Sequence, residues 1–176
     1  MTSPMDRLWA GWRAGYLASA SDDPAVLGPD GDGRTLFERI LESDLPDERT
    51  YVVWRGRRCA ALLNAYPYGT GHLMVLPRRA VAELEDLHGE ETSELWAAVT
   101  AAVRALKAAY RPDGVNVGMN LGAAAGAGVP DHLHVHVLPR WAADSNFMTA
   151  VAETRVLPEP LDETWRKLRA AWEPGP

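Results

Sequence analysis

The chain has 176 residues, a formal net charge of −6 and a single cysteine. That length fits one domain whose core needs neither disulfide nor metal to hold it, and the acidic balance excludes a polycation that wraps nucleic acid. No apolar run approaches the roughly twenty residues of a membrane span. Lone Cys59 rules out an intramolecular disulfide, reads as a small core residue and suits a reduced, cytoplasmic protein. The opening MTSPMDRLWAGWRAGYL lacks the apolar stretch of a signal peptide.

In chain order, residues 5–16 are rich in aromatics and read as a short helix or an arm. Residues 20–34 form a turn-rich connection of Gly, Pro and Asp. LFERILES, 36–43, has helical spacing and ends near Pro46. YVVWR (51–55) and RCAALLN (58–64) flank a short link containing Gly56, which predicts a hairpin. After the loop AYPYGTG comes a third strand, 72–77, apolar enough to be buried; AVAELEDL then makes a brief helical turn. The clearest element is a helix over 89–110, with Leu95, Trp96, Val99, Val103, Leu106 and Tyr110 on one stripe. Its early Glu90, Glu91 and Glu94 and late Arg104 and Lys107 suit the helix dipole. Residues 111–114 end it. VNVGMN (115–120) is a strand, 121–131 a loop of small residues, 132–138 a last strand, and ETWRKLRAAW a final helix. Hairpins without βαβ alternation predict an α+β fold. The expected division is an arm and loop over 1–34, a core over 35–141 and a tail with a helix over 142–176.

Two stretches could suggest phosphate binding. GPDGDGRT, 28–35, nearly spells a P-loop, but Arg34 stands where Lys is needed, Asp30 and Asp32 repel phosphate, and no buried strand precedes it. It reads as a flexible loop. NLGAAAGAG, 120–128, is a better candidate, because Gly122, Gly126, Ala127 and Gly128 allow close backbone approach and leave amides open to an anion.

That loop leads into DHLHVHVLPRW, which holds three of the five histidines of the chain. Side chains at every second position of a strand share a face, so His132, His134 and His136 would stand together with Leu133, Val135 and Val137 behind them. Spacing alone leaves three readings open. One is a neutral imidazole acting as nucleophile beside imidazole donors. Another is a metal site, with His72 and nearby carboxylates as further ligands. The third is a solvated face that happens to be rich in histidine. Taken singly, His72 reads as a satisfied core histidine, Asn64 and Asn120 as strand-ending turn residues or as contacts to a ribose or base, and Trp141 as a packing residue.

His132-Leu-His134-Val-His136-Val-Leu resembles the signature of the histidine triad superfamily. ALLNAYPYGTGHLMVLPRR resembles it too, with Asn64 eight residues before His72. RLWAGWRAGYL, NVGMNLG and HVLPRWAADSNFM are similar to the actinobacterial diadenosine tetraphosphate phosphorylase-like branch, so the resemblance runs from about residue 7 to residue 172. It implies an antiparallel sheet of about five strands with one long helix and short flanking helices, continued across a homodimer, with a tetramer as the alternative. It also implies nucleotidyl transfer at an α-phosphate. His134 would be the nucleophile, flanked by His132 and His136, with His136 on phosphate oxygens and His72 supporting from behind. Asn64 would sit at the nucleoside, Asn120 near the phosphate or ribose, and Leu62 and Met74 at the base. Gly122, Gly126, Ala127, Gly128 and Trp141 complete the expected substrate-binding set.

The reaction so implied is phosphorolysis of diadenosine tetraphosphate to ATP and ADP. Alternatives are a hydrolase releasing AMP, a catalytically weak nucleotide-binding module, and a metal-binding protein using His132 and His134. Many family hydrolases carry Gln in the loop before the triad. Here Gly126-Ala127-Gly128-Val129 has none, which leaves room for inorganic phosphate. Some members hold a structural zinc through Cys-x-x-Cys and two histidines. Thr35-Leu-Phe-Glu38 stands in place of the cysteines, and Ala80 or Val81 falls at the third ligand position, so no structural zinc is expected. The chemistry would need no cofactor, with Mg²⁺ arriving on the nucleotide left open. The expected partners are nucleotide and inorganic phosphate, without nucleic acid or membrane.

Overall fold

A computed structural model describes residues 33–142, 144 and 159–173. The arm over 5–16, nearly all of the 20–34 connection and the tail over 145–158 lie outside the described residues.

The first helix, α1 (Leu36–Glu42), opens with a capping box. The Thr35 hydroxyl accepts from the Glu38 amide, and the Glu38 carboxylate accepts from the Thr35 amide. A four-residue helix, α2 (Asp47–Thr50), was not anticipated; Tyr51 ends it in the left-handed conformation and turns the chain into the sheet. Strands β1 (Val52–Arg55) and β2 (Cys59–Leu63) form the predicted hairpin, and β3 (Leu73–Pro77) follows. The expected turn after it is a 3₁₀ turn, Leu84–Asp86. The long helix, α3, spans Gly89–Tyr110 as read, and β4 spans Gly114–Met119. The last strand, β5, is Val135–Arg140 rather than 132–138, and α4 is Leu161–Ala171.

Strand order is β1-β2-β3-β5-β4, and every pairing is antiparallel. The late start of β5 is seen against both of its neighbours. Val135 pairs with Met119 on one side and Val75 on the other, and Met119 is the end of β4. On the β3 side Leu76 and Pro77 continue past Val75, but residues 132–134 do not pair with them, and the Leu133 amide donates to the Val81 carbonyl instead.

Alternation along the strands separates two apolar clusters. Val53, Ala61, Leu63, Leu73, Val75, Val135 and Val137 face α3, whose Ala98, Ala101, Ala102 and Ala105 let the sheet approach closely. Leu168 and Trp172 of the C-terminal segment close this side. On the other face Val52, Ala60, Leu62, Met74 and Leu76 pack under Phe37 and Leu41 of α1. The histidines lie on this second face.

Glu91, buried in the first turn of α3, accepts two guanidinium bonds from Arg79, both 2.7 Å, and one from the His88 amide at 2.9 Å. The hydrogen-bonded Arg79 guanidinium outweighs the burial penalty and holds this carboxyl at about 2, against the usual 4.5. Arg79 is partly exposed, which screens the pair. Glu91→Gln should cost about 1–3 kcal/mol at neutral pH. The folded-state value lies below the unfolded one, so this stabilisation is complete above pH 4.5 and is lost as pH falls toward 2. Urea unfolding at about pH 7 and about pH 3 should show a smaller difference between wild type and E91Q at the lower pH. An equal difference at both would remove the ion pair as its cause.

Candidate active site

His136 lies in the middle of one row across the sheet, between Met74 of β3 and Gly118 of β4. His72 stands one residue before β3, its carbonyl accepting from the Asn64 amide at 3.0 Å. The turn into it needs Gly71, whose φ is +78° and where a Cβ would come within 3.1 Å of both Leu106 and Pro139.

Backbone groups fix which imidazole nitrogens carry protons. The Tyr68 amide donates to His72 Nδ1 at 3.0 Å. That nitrogen is therefore an acceptor, so the proton of His72 is on Nε2 and is donated to His136 Nδ1 at 2.9 Å. His136 in turn carries its own proton on Nε2. Its neighbour is the reverse. His134 Nδ1 lies 2.8 Å from the His132 carbonyl, which can only accept, so Nδ1 is protonated and Nε2 keeps its lone pair. His132 is pinned at both nitrogens: Nε2–H donates to the Pro77 carbonyl at 2.8 Å, and Nδ1 lies 2.7 Å from Thr35 Oγ1.

His132 and His134 are buried, at 0% and 5% exposure. Burial pushes the pKa of both below the ordinary histidine value, against the carbonyls that accept from them. Both are thus neutral at neutral pH, and a neutral His132 must accept the Thr35 hydroxyl proton. The rings of His134 and His136 meet nearly at right angles, 4.9 Å between centroids. Phe37 packs edge-to-face with His132 and His134, ring centroids 5.3 and 5.2 Å apart, and Tyr68 leans on His72 at 4.6 Å. A neutral, oriented imidazole lone pair next to an N–H donor is an arrangement for nucleophilic attack on an electrophile whose oxygens gain charge.

The other sequence-predicted residues fall as follows. Leu62 and Met74 are buried on the same sheet face, beside Phe37. Asn64 is buried, and its Oδ1 accepts from the Tyr66 amide at 2.9 Å, closing an Asx-type turn. Asn120 Nδ2 donates to the Gly126 carbonyl at 3.3 Å and so spans the small-residue loop. Both ends of that loop lie at the His136 end of the sheet, since Met119 and Val135 are partners. Gly122 and Gly126 take positive φ, +75° and +94°. The expectation of open amides needs correction: those of Ala125, Gly126 and Ala127 are spent on the carbonyls of Gly122 and Ala123. Gly128 lies beyond that turn. Trp141 is not brought to the histidines within the chain. It follows β5 at the far end, roughly 20 Å along the strand from Val135, and packs edge-to-face with Tyr110, ring centroids 6.3 Å apart.

Sequence reading missed Thr35, Phe37, Glu38 and Tyr68. The pattern Thr-x-x-Glu before an apolar helix was a visible capping-box signal for two of them. Among the described residues no group of three or more His, Cys, Asp or Glu side chains is placed to hold a metal ion, and no helix is long and apolar enough to cross a membrane.

A family model described as HIT domain matches residues 46–143. A Mycobacterium tuberculosis protein named AP-4-A phosphorylase is 44% identical over 172 residues, covering 98% of this chain and 87% of its own length. A Schizosaccharomyces pombe protein named bis(5′-nucleosyl)-tetraphosphatase (asymmetrical) is 37% identical over 93 residues, 53% of this chain and 50% of its own. Among solved structures, a Zn-bound histidine triad family protein from Mycobacterium smegmatis matches with a TM-score of 0.64 and 27% identity, over 80% of this chain and 94% of that one. A Hit-like protein from Bartonella henselae matches with a TM-score of 0.65 and 26% identity, over 80% and 98%.

The tautomers are directly measurable. Long-range ¹H–¹⁵N correlation spectra at neutral pH should show His134 with its proton on Nδ1, and His72, His132 and His136 with theirs on Nε2. His72→Phe should release the preference of His136 and leave that of His134 untouched. A His134 proton on Nε2 in the wild type would contradict the assignment of its lone pair.

Proposed function

The chain belongs to the histidine triad (HIT) domain family, and from that premise we propose that it transfers a nucleotidyl group from a dinucleoside polyphosphate to inorganic phosphate, cleaving diadenosine tetraphosphate to ATP and ADP. The observation that carries the proposal is His134, held by the His132 carbonyl with its Nε2 lone pair available. The similarity to a protein named AP-4-A phosphorylase, over nearly the whole chain, selects the substrate and the acceptor.

In the first step His134 Nε2 attacks the α-phosphorus. A P–N bond forms, the bridging P–O bond breaks, and the electron pair leaves with the terminal phosphate oxygen of ATP. In the second step an oxygen of inorganic phosphate attacks the same phosphorus, the P–N bond breaks, and ADP departs. Splitting one displacement into two in-line displacements lowers each barrier and retains configuration at phosphorus. His136 Nε2–H donates to the phosphoryl oxygens as their charge grows, and His72 keeps that proton in place. Asn64 serves the nucleoside, Leu62 and Met74 the base, and Asn120 with Gly122, Gly126, Ala127 and Gly128 the phosphate end. The small side chains from Gly122 to Gly128 support room for a phosphate rather than one fixed water.

No cofactor enters either step, and Mg²⁺ would arrive with the nucleotide. A structural zinc is not part of the proposal. Thr35, Glu38 and Ala80 offer no thiolate or second imidazole, and both nitrogens of His132 already have partners. We place the protein in the cytoplasm as a homodimer continued across β4, an edge strand that leaves Val117 44% exposed. Nucleic acid and membrane have no part in it.

The test is product analysis by chromatography after incubation with diadenosine tetraphosphate, with and without inorganic phosphate. ATP plus ADP, formed only with phosphate, is the expected result. AMP plus ATP, indifferent to phosphate, would make water the acceptor, as the similarity to a tetraphosphatase would allow. His134→Asn should lower kcat by about 10³-fold or more while nucleotide binding survives. Turnover at the wild-type rate in that variant would exclude His134 as nucleophile.

A further inference from the structure

We propose that the α1 capping box, Thr35 with Glu38, is a positioning device for the nucleophile: it fixes the His132–Leu133 peptide plane whose carbonyl holds His134 in its reactive tautomer. The catalytic half rests on the function proposed above; the positional half does not.

Two hydrogen-bonded routes run from α1 to that peptide. The first passes through a side chain. Thr35 Oγ1 reaches His132 Nδ1 at 2.7 Å, across 97 residues of sequence. The opposite ring nitrogen is tied to the Pro77 carbonyl at 2.8 Å. With both nitrogens committed, the ring cannot turn, and His132 is anchored from its side chain. The second route passes through the backbone. Glu38 Oε1 accepts from the Ala80 amide at 2.9 Å. The next residue, Val81, accepts from the Leu133 amide at 2.6 Å. Leu133 N–H and His132 C=O belong to one planar peptide unit. Its N–H is held by Val81 on one side, and its C=O accepts from His134 Nδ1 at 2.8 Å on the other. The plane that orients the nucleophile is thus clamped at both ends.

Thr35 has one hydroxyl proton and two candidate acceptors, His132 Nδ1 at 2.7 Å and Glu38 Oε2 at 3.1 Å. Glu38 is already supplied by the Thr35 and Ala80 amides, so the proton goes to the neutral imidazole. Phe37, between the two capping residues, packs edge-to-face with both His132 and His134. A helix cap alone has no need of a partner almost a hundred residues away.

The experiment compares Thr35→Val, Thr35→Ser and wild type in two readouts. Valine keeps the shape and removes the hydroxyl; serine restores it. In ligand-free protein, imidazole ¹⁵N spectra of T35V should show His132 Nδ1 losing its hydrogen bond and the His134 signals shifting. In T35S both should match wild type. With diadenosine tetraphosphate and phosphate, T35V should lose about ten- to a hundredfold in kcat, the scale of a misplaced reacting group. KM should change less than about twofold, and T35S should recover most of the rate. A folded T35V with unmoved His134 signals and wild-type kcat would overturn the proposal. So would a T35S as slow as T35V, since the hydroxyl would then not be the agent. If T35V melts below the assay temperature, Glu38→Gln replaces it: lowered kcat at constant KM supports the device, and unchanged kcat overturns it. If the wild type does not act on diadenosine tetraphosphate, the functional reading fails, and the spectra still decide whether Thr35 positions His132 and His134.

Discussion

The register between β5 and its two neighbours is the constraint on which the rest of the site depends. Val137 lies between Leu73 and Val117, and His136 between Met74 and Gly118. Val135 and Val137 are wholly buried toward α3. Because side chains alternate with period two, a slip of one residue would drive imidazoles into the aliphatic core and turn both valines out of it. Burying unpaired imidazoles costs far more than any gain such a slip could bring. The alternation also survives past the end of the ladder. Leu133 is still packed with the helix-side core, and His132 and His134 still lie on the α1 side. The direction of His134 is therefore set by aliphatic packing on the reverse of the sheet, and only its tautomer is set by polar groups.

Those polar groups share one property: the reference atoms are backbone. Tyr68 N–H begins the sequence that ends with a proton on His136 Nε2, and the His132 carbonyl ends the one that frees His134 Nε2. Peptide groups cannot change protonation state, so they impose a direction on imidazoles that could otherwise adopt either tautomer. In a dry environment this matters doubly. Burial keeps His132 and His134 neutral, which preserves the lone pair, and it strengthens each hydrogen bond that holds them.

Much of this was legible in the sequence, for reasons that also explain what was not. A period-two run with three histidines states which residues share a face whether or not a partner strand is present. The same indifference made the strand appear to begin at residue 132. Where pairing starts depends on both neighbouring strands, which no local pattern encodes. Small residues in the 121–128 stretch permit close approach to an anion, but they equally permit the tight 3₁₀ turn that consumes three of the amides. Trp141 followed the motif closely in sequence, yet an extended strand carries each residue about 3.3 Å further from the histidines. Thr35 and Glu38 were read only as places where metal ligands are missing. Their own pairing, a Thr and a Glu at capping-box spacing, was equally present in the sequence.

That pairing bears on how firmly the site is held. A helix of seven residues has no stability of its own in water. α1 persists through its cap and through Phe37 and Leu41, buried on the sheet face beside Met74. The dependence runs both ways. The Thr35 hydroxyl that caps the helix is oriented by His132, and His132 is oriented by Thr35. A local opening of α1 would remove the Phe37 wall, expose two neutral imidazoles to water and release the ring that anchors the His132 carbonyl. Water entry would raise the histidine pKa values toward their ordinary level and cost His134 its lone pair at mildly acidic pH. Such an opening of α1 would limit both the order and the proton state of His134 without requiring the larger core behind the sheet to open.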